Sequence, residues 1–377
     1  WFIEETTALG CKVKVDKIGN IFAIYPGQKE GHPTAIGSHL DTQPTGGRYD
    51  GIYGVLSGLE LLRTLKDNNI VPQYPIAVID WTNEEGARFP MSIMASSVWA
   101  ELQQIEKVYK IESIQEDVPV TVEHELKRIG YLGETEASYK ENPIAAHFEI
   151  HIEQGPILEE EEKRIGIVTG VQAYSWYKVF VKGKSQHTGT TPFKSRSDAL
   201  LAASKMLVKG NEIATKAGGL FSVGKLNLNG AVSFNVIPDD VFFTMDLRHV
   251  EDHVMREMLA SAKEAFVKIA EESGKKLTVE FEEIQISPAI HFHEDCVSSV
   301  RQAAYKLFGE ENTRDMVSGA GHDSCATSLR VPTSMIFIPS KDGVSHSPEE
   351  YSTPQQVADG VAVLIDAVLD YDSKRTQ

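Results

Sequence analysis

The sequence predicts an α/β protein interrupted by an inserted α+β sandwich, and three observations carry that prediction. Apolar and amphipathic runs alternate through the first half of the chain. After Gly170 the texture changes to alternating strands with two long amphipathic helices between or after them. At residues 333–338 a buried-strand pattern returns, followed by a last helix over 354–371. With 377 residues there is material for two cores. Residues 1–171 plus 288–377 are therefore read as one discontinuous domain and 172–287 as the insert.

Taken in order, residues 12–16 and 21–25 flank Lys17-Ile18-Gly19-Asn20 as a hairpin, and 34–38 and 76–81 read as buried strands. Between the last two, Ile52, Val55, Leu59 and Leu62 recur at helical spacing, and Asp67-Asn68-Asn69 ends that helix. Asp50 falls near its N-cap. In the insert, strands are expected at 177–182, 221–228, 234–237, 241–248 and 277–286, with helices at 198–217 and 252–273. The charge run 159–163 reads as a solvated turn. There are no internal repeats, low-complexity tracts or heptads.

Composition narrows the partners. Lys and Arg total 37 against 54 Asp and Glu, a net charge of −17, which argues against nucleic acid or an anionic membrane surface. Cys11, Cys296 and Cys325 are odd in number and scattered, so neither a disulfide framework nor a thiolate zinc site is expected, and a reducing cytoplasm is the simplest compartment. No run approaches the roughly 20 apolar residues that span a bilayer. The opening Trp1-Phe2-Ile3-Glu4-Glu5 has no secretory pattern and no initiator methionine, which reads as a start inside a longer gene product.

The chemistry gathers where strands run out into loops. His39 ends the 34–38 strand, Asp50 precedes the first long helix, Glu84-Glu85 follow the 76–81 strand, and His151 and His346 sit in similar places. Alone, His39 reads as a hydrogen-bonded structural histidine and Asp50 as a helix cap. Adjacent carboxylates after a buried strand are harder to dismiss, because they repel unless solvated or neutralised by a cation. Successive side chains diverge, so Glu85 can ligate while Glu84 takes a proton from activated water. Together these groups read as a metal site. Competing chemistries fail: Gly183-Lys184-Ser185 lacks the first glycine of a phosphate loop, since Lys178 stands there, and no G-x-S-x-G, H-E-x-x-H or C-x-x-C segment occurs.

The segments Gly-Ser-His-Leu-Asp at 37–41, Tyr-Asp-Gly at 49–51, Asn-Glu-Glu-Gly at 83–86, His-Ile-Glu-Gln-Gly-Pro at 151–156, Gly-Ala-Gly-His-Asp at 319–323 and Gly-Val-Ser-His-Ser at 343–347 resemble those of the M20-type di-metal amidohydrolases. The carbamoyl-hydrolysing branch matches best, most of all the fungal β-alanine synthases (β-ureidopropionases), with N-carbamoyl-L-amino acid hydrolases and allantoate amidohydrolases also similar. The resemblance implies a central mixed sheet flanked by helices, with the insert as a lid through which a homodimer forms. It implies two zinc ions per subunit, with Mn2+, Co2+ or Ni2+ as substitutes. His39 and His151 would hold one ion, Glu85 and His346 the other, and Asp50 would bridge them. Glu84 would be the general base and Asp41 would orient His39. His187 would stabilise the oxyanion, and Gln154, Asn235, Arg248, Gly321 and His322 would bind substrate. Peptidase branches carry a carboxylate where this chain has His151; a neutral ligand there should leave the metal a stronger Lewis acid. The expected reaction is hydrolysis of N-carbamoyl-β-alanine, a step of pyrimidine degradation, to amino acid, ammonia and carbon dioxide. A dipeptidase or aminoacylase with the same metals, and a non-catalytic binding relative, stand as alternatives.

Overall fold

The computed structural model of the protein describes residues 1–230 and 233–376. The chain packs as two compact units, Trp1–Gly170 with His291–Gln377, and Val171–Ile290. Up to residue 171 it supplies β1 (Lys12–Val15), β2 (Ile21–Tyr25), β3 (Thr34–Ser38), β4 (Ile76–Asp80), β5 (Ala146–Ile152) and β6 (Ile165–Val171). The insert adds β7 (Ala173–Lys182), β8 (Gln186–His187), β9 (Leu220–Ser222), β10 (Leu226–Leu228), β11 (Val236–Ile237), β12 (Asp240–His249) and β13 (Thr278–Ser287). The returning chain gives β14 (Ile290–His291), β15 (Thr313–Ser318) and β16 (Thr333–Ile338).

The larger sheet runs β1-β2-β4-β3-β5-β16-β6-β14, with β15 also paired to β6. Its middle is parallel: β4 with β3, β3 with β5, and β5 with β16. The flanks turn antiparallel at β2 and β6. Every residue of β3, β5 and β16 is buried, as parallel strands covered on both faces require. Helices Ile52–Asp67, Glu294–Phe308 and Pro354–Lys374 pack against these strands. Four parallel strands thus open their C-terminal ends along one edge, where open α/β sheets place their ligands. The expected hairpin is present as an antiparallel β1–β2 pair. The sequence reading did not assign helix Glu294–Phe308 or β15.

The insert is a two-layer sandwich. Its sheet runs β10-β12-β7-β13, with β9 also paired to β12, and helices Ala199–Ala217 and Asp252–Ser273 lie against it. Alternate residues Val241, Phe243, Met245 and Leu247 of β12 enter the core shared with Met206, Met258 and Phe266. The expected single strand over 221–228 is instead interrupted. β9 pairs Phe221 with Leu247, whereas β10 pairs Asn227 with Phe242, so one extra residue is accommodated between them. This is a β-bulge around Gly224, held by Lys225 N donating to Thr244 Oγ1 at 3.0 Å. The expected strand at 234–237 shrinks to β11, a two-residue rung beside β8.

Candidate metal centre

The loops that leave β3, β4, β5 and β16 carry the ionisable groups. His39 follows β3 and is buried. Its Nδ1 donates to the Asp41 carbonyl at 2.9 Å, leaving the Nε2 lone pair for other use. The expected orienting role of Asp41 therefore falls to its main-chain oxygen. Its carboxylate does different work, accepting from Glu84 N and Glu85 N at 3.1 Å each and so tying the loop after β3 to the loop after β4. His151, at the end of β5, donates from Nδ1 to its neighbour's carbonyl, Ile152 O, at 2.9 Å.

Asp50 does not cap the helix that follows it. Gly51 is the cap, at φ 69° and ψ −53°, and Ile52 N donates to Asp50 O at 2.8 Å. This closes a γ-turn whose central residue has positive φ, a rare and strained conformation. The turn aims the Asp50 carboxylate into the site. Its Oδ1 lies 3.0 Å from His151 Nε2 and 3.6 Å from His39 Nε2, and its Oδ2 lies 3.3 Å from His346 Nε2. Glu85 Oε2 is also 3.3 Å from His346 Nε2. Two donor groups result, His39 with Asp50 and His151, and Asp50 with Glu85 and His346, each with its atoms within 4.8 Å of one another. One carboxylate serves both, an oxygen to each. Glu84 stands beside them, Oε2 at 3.6 Å from His39 Nε2.

The electrostatics suit a cation. Burial pushes the Asp50 carboxyl up, but His151, His346 and His39 together hold it far below the ordinary carboxylate range. Burial pulls His151 down, yet Asp50 raises it to about 9. Burial drives the Glu84 carboxyl well up, helped by Asp323, Glu85, Glu149 and Asp41. Glu85 is raised by burial as well, and Gln43 Nε2, donating at 2.8 Å, partly offsets it. Glu85 Oε1 is buried with no hydrogen-bond partner. An orphaned carboxylate oxygen among imidazole nitrogens and other carboxylates is the donor set that a divalent ion such as zinc satisfies.

The remaining candidates divide. Gln154, at φ 59°, turns its Nε2 to Asp50 Oδ2 at 2.7 Å and to Ser345 Oγ at 3.1 Å, while its Oε1 is buried without a partner. His322 is buried with its ring centre 4.7 Å from that of His151, and Ser318 Oγ lies 2.9 Å from its Nε2. Burial, with His151 beside it, holds its imidazole well below the ordinary range and therefore neutral. Gly321 is an exposed loop residue just before it, where a Cβ would come 3.1 Å from Ile93 Cδ1. His187, Asn235 and Arg248 belong to the insert. His187 Nδ1 accepts from Gly189 N at 3.1 Å and Thr190 N at 3.3 Å, so the ring proton of the neutral imidazole sits on Nε2. Asn235 O accepts from Thr188 N at 2.9 Å, which ties the two loops together. The Arg248 fork is already engaged: its Nη2 donates to Asp246 Oδ2 at 2.8 Å and its Nε reaches both oxygens. The sequence reading missed Gln43, Ser345 and Glu350, all in direct contact with the donor groups or the loops that carry them.

Comparison with known proteins places the chain in a family. The chain matches Peptidase family M20/M25/M40 over residues 35–370. It is 39% identical over 368 residues to an N-carbamoyl-L-amino-acid amidohydrolase of Rhizobium meliloti, covering 96% of this chain and 85% of that protein. An allantoate amidohydrolase of Bacillus subtilis is 31% identical over 370 residues, covering 96% and 87%. The crystal structure of an amidase of the hydantoinase/carbamoylase family from Burkholderia multivorans superposes with a TM-score of 0.93 at 41% identity, covering 100% of this chain and 90% of that one. With its strand-end histidines and carboxylates and these relatives, the chain belongs to peptidase family M20/M25/M40, on its carbamoyl-amidohydrolase side, and is a hydrolase of non-peptide C–N bonds.

Proposed function

We propose that the protein hydrolyses an N-carbamoyl amino acid, using two divalent cations held by His39, Asp50 and His151 and by Asp50, Glu85 and His346. The observation that carries this reading is the division of Asp50, with Oδ1 facing one histidine pair and Oδ2 facing His346. When bound, such cations acidify water and polarise the carbamoyl carbonyl. Glu84, raised by burial and by neighbouring carboxylates, suits a group that takes a proton from the attacking water and hands it to the leaving nitrogen. His187, with its proton on Nε2, suits donation to the developing oxyanion. Gln154 and His322 sit beside the cation groups as polar contacts for substrate, and Gly321 leaves room next to them. On the insert, Asn235 and Arg248 are the polar groups proposed for substrate, and a homodimer through the insert is the proposed assembly. The products are the amino acid, ammonia and carbon dioxide.

The names carried by the relatives weight the substrate towards N-carbamoyl-L-α-amino acids, while the sequence reading favoured N-carbamoyl-β-alanine and pyrimidine degradation. Zinc is the proposed metal and the cytoplasm the proposed compartment; among the described residues no helix is long and apolar enough to cross a membrane. A panel of N-carbamoyl-L-α-amino acids, N-carbamoyl-β-alanine, allantoate, N-acetyl amino acids and dipeptides, assayed before and after chelation and with Zn2+ or Mn2+ restored, tests the proposal. Turnover of carbamoyl substrates that chelation abolishes and metal restores is expected. Preference for dipeptides or acetylated amino acids, or turnover indifferent to chelation, would refute it.

A further inference from the structure

Glu350 lies three hundred residues from Asp50 in the chain and directly beneath it in the fold. It is 4% exposed, follows His346 by four residues, and spends both carboxylate oxygens on the loops that carry the second donor group. Its Oε1 accepts from Tyr49 N at 2.9 Å and from Asp50 N at 3.1 Å. Its Oε2 accepts from Ser345 Oγ at 3.1 Å. The 46–50 loop can close over this carboxylate because residue 47 is glycine, since a Cβ there would stand 2.1 Å from Oε1 and 2.4 Å from Glu350 Cβ.

Ser345 makes the arrangement more than a brace. Its Oγ is 3.0 Å from Asp50 Oδ2 and 3.1 Å from Glu350 Oε2, while Gln154 Nε2 donates to it at 3.1 Å. A hydroxyl carries one proton, so Ser345 can donate to one of the two carboxylates at a time. Asp50 Oδ2 is the oxygen offered to the group formed with Glu85 and His346. A cation that takes that oxygen needs the serine proton to go elsewhere, and Glu350 Oε2 is the acceptor in reach. The histidines of the other group are buried at strand ends, whereas the His346 side chain is 48% exposed on a loop. That group depends more on what holds its loop.

We propose that Glu350 is a positioning residue for the second cation, joining the Asp50 and His346 loops and drawing the Ser345 proton away from Asp50 Oδ2. The proposal rests on the two-cation reading above. In Glu350→Gln the side-chain oxygen can still hold Tyr49 N and Asp50 N. The amide would then donate towards Ser345, whose proton is left to Asp50 Oδ2 in competition with the cation.

The test is competition of the apo-protein with a chromophoric chelator for Zn2+ alone, which resolves the two binding steps, with bound ions counted by native mass spectrometry. The parent should bind two ions per chain. A parent that binds one overturns the two-cation reading itself and this proposal with it. Glu350→Gln should weaken the second ion about tenfold to a hundredfold, the usual effect of losing a residue that orients a ligand, and change the first by less than about threefold. In a Ser345→Ala background the same substitution should change the second ion by less than about threefold, because no hydroxyl proton remains to compete. Equal weakening of both ions, no weakening, or the same loss with and without Ser345 would overturn the proposal. Because both substitutions are near-isosteric, folding is followed by thermal unfolding of the apo-proteins. If Glu350→Gln fails to fold it would be replaced by Glu350→Asp, whose shorter carboxylate cannot hold both the Asp50 loop and Ser345 and which should weaken only the second ion; weakening of both or neither would again overturn it.

Discussion

Substituting Gly51 by alanine probes how closely the backbone is built around the first donor group. A Cβ at this position would stand 2.1 Å from His39 Cε1, 2.3 Å from Nδ1 and 2.4 Å from Nε2. Ordinary contact begins at 3.4 Å, so the ring would have to retreat by about 1.3 Å. The ring cannot rotate freely away, because Nδ1 is held by Asp41 O. Residue 51 also sits at φ 69°, where alanine is disfavoured by about 1–2 kcal/mol. A displacement of about 1 Å at a reacting centre typically costs on the order of a hundredfold in rate. Gly51→Ala should therefore lower kcat about a hundredfold, weaken the first ion and lower Tm by several degrees. Metal content, steady-state rates with a carbamoyl substrate and thermal unfolding of chelated protein check the three effects. A variant with parental metal content and rate would show that the γ-turn does not set the position of His39.

Four other outcomes are expected. Glu84→Gln should keep both ions and lose at least about a hundredfold in rate, whereas Glu85→Ala should lose an ion; the opposite pattern in metal analysis would reverse the two roles. In chelated protein His151 titrates near 9, above the ordinary histidine value, because of Asp50. The pair therefore contributes its full stability below about pH 6.5 and loses it as pH rises through about 9, while ion affinity rises over the same window as the competing proton leaves. Thermal scans in chelator should show that decline, and a Tm that stays flat or rises would argue against the pair. Arg248→Lys should raise KM about tenfold if its fork, shared with Asp246, receives the substrate carboxylate; an unchanged KM would leave Arg248 with Asp246 alone. Mixing Glu84→Gln with His187→Ala chains should restore part of the activity if the insert of one chain serves its neighbour, and exchanged heterodimers with no recovery would assign His187 to its own chain or to none.

Much of the candidate centre was legible in the sequence because most of its donor groups sit at one kind of place. A parallel strand ends, a loop begins, and a histidine or carboxylate follows; His39, Glu84, Glu85 and His346 obey this rule, and His151 is the next-to-last residue of β5 itself. Asp50 was legible as a site residue but not as the first residue of a γ-turn centred on Gly51, since a Tyr-Asp-Gly-Ile run before a helix reads equally as a cap. Glu350 was missed although Glu349-Glu350 repeats the pattern of adjacent carboxylates that singled out Glu84-Glu85. The local signal was there, but its meaning lies in main-chain donors at Tyr49 and Asp50, which no short window of sequence brings together. The bulge around Gly224 was lost for a related reason: a glycine between two β-prone runs marks an irregularity, and only the pairing with β12 says whether the strand stops or buckles.

Three of the loops around the centre each hold a non-glycine residue in the left-handed region: Asn83 at φ 56°, Gln154 at φ 59° and His346 at φ 55°. Such conformations cost of order 1–3 kcal/mol each and persist only where their surroundings enforce them. For anyone seeking a hardier version of this enzyme, these are the positions at which a search guided by thermal stability alone would find quick gains, by placing glycine or remodelling the loop. At Gln154 and His346 it would also dismantle the contacts to Asp50 and Glu85, and at Asn83 it would loosen the approach of the two glutamates. Hardening this protein is therefore best directed to its helices and to the outer strands of the sheet, with the three loops held fixed and ion retention scored beside melting temperature.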